Sequence, residues 1–163
     1  MNEPAGPPDS PRSRPSVEDT LLIHDLYNRY SWALDTGDTD AYVHLYMPDA
    51  VVYETRPEGV RHAVGHEAIR EFVLRFHDNP DFPGRQHRTS QLVIAPDPQG
   101  RADRWLVRAY VLTTETQGGH SPTVYWCGHT ADIVVKIGED WLIEWRRIQP
   151  WAGDVLEHFA AKA

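Results

Sequence analysis

An α+β fold, with helices packed on one face of a strongly curved, mostly antiparallel sheet, is predicted by a change of pattern along these 163 residues. Up to Phe76 most apolar residues recur at three- and four-residue steps, the spacing of amphipathic helices. After Gly84 the period drops to two and the helices stop. Helical segments followed by long strands point to segregated layers rather than to an alternating parallel sheet.

The first helix is expected from Val17 to about Asp35, with Leu22, Ile23, Leu26, Tyr30, Ala33 and Leu34 on its apolar side. Ser16 is its cap, and Glu18 and Asp19 lie in its first turn. Asp38 opens a second helix that buries Tyr42, Leu45 and Tyr46 and is stopped by Pro48. Ala50 to Glu54 and Val60 to Val64 form a strand pair around the turn Pro57-Glu58-Gly59. Gly65-His66-Glu67 starts a third helix facing inward with Ile69, Phe72, Val73 and Phe76, and Asn79-Pro80 closes it. Strands follow at Gln86 to Ala95, Arg104 to Thr116, Thr123 to Ile137 and Trp141 to Gln149, an antiparallel meander. A last short helix from Asp154 to Ala161 would fold back over the sheet through Val155, Leu156 and Phe159.

Residues 1–16, rich in Pro, Ser and charge and without an apolar leader core, read as a disordered tail, leaving 17–163 as one domain. A net charge of −8 without a basic stripe argues against nucleic-acid binding. The apolar runs are too short to span a bilayer. The single cysteine, Cys127, rules out an internal disulfide or a multi-cysteine zinc site and fits a reducing cytoplasm. His62, His66 and Glu67 straddle a strand-to-helix junction and lack the spacing of a helical zinc face. No Gly-flanked serine elbow is present.

Four residues invite a chemical reading. Asp35 is an acid in the last turn of a helix, where the dipole opposes it by ~0.3–1 kcal/mol. Either it is solvated, or it faces inward and holds a histidine. In the Thr123 to Ile137 strand the odd positions are the apolar ones, so the odd face is expected to look inward and carry His129 with it. His87 shares a face with Thr89, Gln91 and Val93, and Tyr53 ends the strand after Pro48. Each alone is an ordinary packing residue. Arg146 and Arg147 read as a surface pair, with Arg147 the alternative pocket cation.

The segments WALDTGDTDAYVHLYMPDAVVY, GHEAIREF, RQHRTSQ and WLIEWRR, in that order, resemble the SnoaL-like group of the nuclear transport factor 2-like superfamily, and within it the scytalone dehydratase-like branch. The resemblance spans roughly Val17 to Trp151. It implies a cone-shaped α+β barrel, three N-terminal helices inside a curled sheet, with a deep pocket at one end. It also implies that Asp35 pairs with a pocket histidine, that His87 and His129 are those histidines, and that Tyr53 polarises a substrate carbonyl. Tyr30, Trp32, Tyr125, Cys127, Trp145, Arg147, Gln149 and Trp151 are the side chains expected around the substrate. The chain departs from the family at Leu34, Gln149 and Trp151, where a tyrosine, a serine and an asparagine are usual.

A histidine held by a carboxylate can take a proton next to a carbonyl and return it to a leaving β-hydroxyl. The expected activity is therefore a dehydratase-like lyase acting on a small cyclic or polycyclic substrate, polyketide-type compounds included, without metal or organic cofactor. Isomerisation, ring closure or epoxide opening in the same pocket, and a noncatalytic ligand-binding or accessory role, are the alternatives. By resemblance, copies associate into dimers or trimers through the outer face of the sheet.

Overall fold

The computed structural model describes residues 14–157. Residues 1–13 of the expected tail, and residues 158–163 with Phe159 of the expected last helix, lie outside them. The chain forms α1 (Val17–Thr36), α2 (Thr39–His44), β1 (Tyr46–Arg56), β2 (Gly59–Val64), α3 (Gly65–His77), β3 (Arg85–Pro96), β4 (Arg104–Glu115), β5 (Thr123–Ile137) and β6 (Asp140–Pro150). A 3₁₀ turn at Gly153–Leu156 stands where the last helix is expected to begin. No helix among the described residues is long and apolar enough to cross a membrane.

The six strands form one sheet in the order β2-β1-β6-β5-β4-β3. All neighbours are antiparallel except β1 and β6, which run parallel. The sheet bends around the helices, and the core lies between them: Ile23, Leu26 and Tyr27 of α1 and Ile69 and Val73 of α3 meet Val52, Val107, Val134 and Ile143 of the strands. The expected α+β architecture is the one observed.

Local chemistry explains the boundaries. Ser16 Oγ accepts the backbone N–H of Asp19 at 3.0 Å, closing the start of α1. Asp38 caps α2 through the N–H of Ala41 at 2.9 Å. That helix stops at His44, before Pro48: Leu45 contributes its carbonyl to the N–H of Ile143, and the chain has already turned into β1. Pro48 instead falls where the β1 and β6 registers slip between Tyr46 and Val51, a stretch in which a missing N–H costs no ladder bond.

Irregularities in three strands decide which side chains face the helices. In β3 the register shifts between Ser90 and Val93, and Gln91 takes a positive φ of 50°. The inward face therefore passes from Arg85, His87 and Thr89 to Leu92 and Ile94, and Val93 is turned out to solvent. In β6 the shift near Glu144 moves the inward positions from Trp141 and Ile143 to Arg146 and Ile148. Gly128 of β5 sits so close to β6 and to the Trp126 ring that a Cβ there would meet the Gln149 carbonyl oxygen at 2.1 Å.

The face of β5 is the reverse of the expected one. Its even positions, Gly128, Thr130, Asp132 and Val134, are buried against the helices, while Tyr125, Cys127 and Ile137 are exposed. Alternation reveals two faces and hydropathy normally says which is inside. Here the inner face is polar because partners from other elements satisfy it. Tyr27 of α1 donates to Asp132, Thr130 Oγ1 donates to it at 3.2 Å, and Arg146 of β6 donates through Nε at 2.8 Å and Nη2 at 2.9 Å.

Candidate active site

Asp35 stands in the final turn of α1, just before Gly37 ends the helix with a left-handed φ of 78°. β3 runs past this end. The backbone N–H of His87 donates to Asp35 Oδ2 at 2.7 Å, and His87 Nδ1 lies 2.5 Å from Oδ1. A carboxylate only accepts, so Nδ1 carries the hydrogen, and in the neutral ring Nε2 is left as an acceptor. Two donors on one carboxylate offset the dipole that opposes an acid at a helix C-terminus. The side chains are 17% and 18% exposed, so the solvated reading of Asp35 is overturned.

A second imidazole stands behind the pair. At the end of α3, His77 Nε2 lies 3.0 Å from the Leu34 carbonyl and Nδ1 lies 2.7 Å from Thr39 Oγ1. The carbonyl fixes Nε2 as the donor and leaves Nδ1 to accept from Thr39. The ring thus ties α3 to the last turn of α1, where Asp35 sits, and to the first turn of α2.

His87 opens onto a cavity of about 770 Å³ between helices and sheet. At its buried end are Tyr30, Tyr42, Thr130 and Arg146; Leu34, Phe72, Phe76, Val111 and Ile148 supply apolar wall. Phe82 stacks on the His87 ring at 6.1 Å and 24°. Arg146 is 1% exposed and Asp132 is fully buried. Its guanidinium lies 3.9 Å from the Tyr30 ring centroid. Burial alone would depress the arginine, but Asp132 and the neighbouring phenols hold its pKa well above the ordinary value. Burial likewise pushes the Tyr27, Tyr42 and Tyr46 hydroxyls up, so these act as neutral donors and acceptors.

Of the four residues expected to meet, the structure brings together Asp35 and His87. Tyr53 and His129 lie on the outer face of the sheet. Tyr53 packs against Trp145 and His62, with ring centroids 6.0 and 6.1 Å away, because the alternate residues Val52 and Glu54 take the inward positions of β1. His129 packs edge-on against Trp151 at 5.7 Å, a consequence of the inverted β5 face. Among the expected substrate contacts, Tyr30 and Tyr125 line the cavity. Trp32 is 73% exposed on α1, and Cys127 is exposed on β5. Trp145, Arg147 and Gln149 alternate outward from Arg146 and Ile148, and Trp151 covers Tyr110 on the outer face at 4.8 Å.

The SnoaL-like domain model matches residues 15–147, most of the chain. The chain belongs to the SnoaL-like family. No curated protein matches it by sequence. Solved structures do. One is an aromatic ring hydroxylase, provisionally so assigned, from Novosphingobium aromaticivorans: 24% identity, TM-score 0.71, covering 86% of this chain and 94% of that one. A provisionally assigned scytalone dehydratase from the same organism has 21% identity and TM-score 0.67, with 81% and 83% covered. An NTF2-like protein with a cystatin-like fold, also from that organism, has 18% identity and TM-score 0.69, with 88% of each covered. At these identities the likeness establishes the fold alone: the nuclear transport factor 2-like architecture.

Against that SnoaL-like frame, sequence reasoning missed Arg146, Thr130, Asp132 and His77. For Arg146 the available signal was the apolar alternation Trp141, Ile143, Ile148, which keeps step only if one residue of WLIEWRR is skipped. His129 has a different outcome in this SnoaL-like chain. Burial lowers its pKa, opposed by the Gln149 side chain and reinforced by Arg147 and Arg108. A lowered folded value means that the unfolded chain binds the proton more readily, so stability falls as pH drops through the ordinary value of 6.5 toward the folded one. The melting temperature is expected to fall between about pH 7 and about pH 5, less steeply in His129→Gln. Equal slopes in the two proteins would remove His129 from this account.

Proposed function

We propose that the protein is a cofactor-independent lyase that abstracts a proton next to a carbonyl and expels a β-hydroxyl as water. The observation that carries the reading is the Asp35–His87 pair, whose imidazole lines a largely apolar cavity. Nε2 takes the α-hydrogen, and the electrons of that C–H bond become an enolate. The enolate re-forms the carbonyl as the C–O bond to the β-hydroxyl breaks, and the imidazolium returns its proton so that water leaves. Asp35 stabilises the charged ring in between.

The enolate oxygen needs a donor inside the cavity. Tyr53 does not serve, being on the outer face; Tyr30 does, with its ring backed by the Arg146 guanidinium. The cavity volume and its phenyl and tyrosyl walls suit a substrate of one or a few fused rings, polyketide-type compounds included. The likeness to a provisionally assigned scytalone dehydratase adds to this reading.

The test uses monocyclic and bicyclic β-hydroxyketones in D₂O. The expected result is enone absorbance, with deuterium at the carbon next to the carbonyl in recovered substrate, where the enolate has been re-protonated before the hydroxyl leaves. Exchange without water loss would replace the dehydratase by an isomerase in the same pocket; neither signal across the panel would sink the acid–base reading. The proposal includes association of copies through the outer sheet face, where Tyr110, Leu112 and Trp151 are exposed. Light scattering should return at least a dimer, and a monomer at high concentration contradicts that part.

A further inference from the structure

In a chain of net charge −8, five of sixteen basic residues converge on one cavity. They are Arg56, Arg61, Arg75, Arg85 and Arg146, and Glu54 is the one carboxylate in the same lining. Arg146 and Arg85 are committed to buried or half-buried acids, Asp132 and Glu115 at 2.8 Å each. Among the described residues Arg61 has only the solvent-exposed Glu58 at 3.1 Å, an exposed pairing of small energy. Arg75 has no acid partner among the described residues. Arg56 spends one nitrogen, Nη2, on Glu54 at 2.7 Å and keeps Nε buried with no acceptor. A buried donor without an acceptor is costly, and a ligand oxygen is one way to satisfy it.

The arginines are also laid against rings. Arg56 lies 5.7 Å from the Phe76 centroid, Arg75 lies 6.0 Å from Phe72, and Arg85 lies 3.9 Å from Tyr125. Stacked guanidinium planes keep their N–H edges free for a planar acceptor. From Arg56 an aromatic lane runs through Phe76 and Phe82 to His87, in steps of 5.7, 5.7 and 6.1 Å. One wall therefore carries unsatisfied guanidinium at one end, phenyl rings along its length and the imidazole base at the other.

We infer that the ligand of this cavity is an aromatic or polycyclic carboxylic acid, its carboxylate received by Arg56 and Arg75 and its ring system laid along Phe76 and Phe82. Bidentate carboxylate binding matches the arginine fork, and the low local dielectric strengthens it. Glu54 does not oppose this, since Arg56 neutralises it, and its Oε2, buried and without a partner, remains an acceptor for a hydroxyl of the same ligand. The inference rests on the lyase reading for the identity of the site, but it concerns binding and is separable from turnover.

The experiment compares a naphthoic acid with its methyl ester and its primary amide, by calorimetry and by quenching of tryptophan fluorescence, Trp126 being in the lining. The acid should bind at least about 10-fold more tightly than either neutral analogue, and more weakly as salt rises. Arg75→Gln should remove most of that preference while leaving ester affinity and the melting curve close to those of the parent; Arg56→Gln should remove it as well, but with a lowered melting temperature, because Glu54 loses its counter-charge. His87→Gln should keep the preference. Equal binding of acid and ester by the parent protein, or an undiminished preference in both arginine variants, overturns the carboxylate site and leaves the lyase reading standing. A retained acid preference in a protein that exchanges no α-hydrogen would do the opposite.

Discussion

Asp132→Ala is expected to destabilise the protein by about 3–5 kcal/mol, the usual cost of stranding one partner of a buried ion pair. The variant leaves Arg146, 1% exposed, surrounded by the rings of Tyr27, Tyr30 and Tyr46 with no counter-charge. Thr130 and Tyr27 lose their acceptor at the same time. Arg146→Met strands the carboxylate instead and should cost a similar amount. Replacing both at once, Asp132→Leu with Arg146→Met, should cost far less than the two single losses added together, because no unpaired charge remains. Urea unfolding of the four proteins checks this. Single variants within about 1 kcal/mol of the parent would mean that water reaches the pair and that the buried end of the cavity does not isolate it.

The second large effect is on turnover. His87→Ala and Asp35→Asn should each lower the rate of α-hydrogen exchange and dehydration by about 10²–10⁴-fold, the range of positioned acid–base groups. Asp35→Asn is the more instructive. Its amide can donate to Nδ1 as well as accept, so the ring is free to move its hydrogen to Nε2, the atom that must take the proton. The substitution changes little volume at a site whose carboxylate already has two donors, so folding should survive it. Unchanged turnover in both variants would remove the mechanism. Loss in His87→Ala alone would leave the base and dismiss its partner.

Much of the fold could be read directly. β5 begins and ends where the alternation begins and ends, at Thr123 and Ile137, and β3, β4 and β6 match their patterns to within a residue. The caps Ser16 and Asp38 are short-range chemistry, and they are where the residue types place them. The candidate site was half legible. Asp35 and His87 meet because a helix end and a strand start are brought together, and an acid opposing a helix dipole is a local oddity that sequence displays. The rest depended on which face of each strand turns inward. A polar inner face on β5 makes sense only once Tyr27 and Arg146 are known to reach Asp132, and these partners are remote in sequence. The bulges near Gln91 and Glu144 shift parity with no glycine or proline to announce them. His129, Tyr53, Gln149 and Arg147 were misplaced for that single reason.

The most direct measurement of the central claim is the hydrogen position on the His87 ring, read by long-range ¹H–¹⁵N correlation NMR of ¹⁵N-histidine protein, with His87→Gln to assign the signal. The account predicts that the ring, where it is neutral, carries its hydrogen on Nδ1, held by Asp35, and that the Nε2 shift moves when a cavity ligand is added; in Asp35→Asn the hydrogen should appear on Nε2. A parent ring carrying its hydrogen on Nε2, with the Asp35→Asn spectrum unchanged, would contradict it.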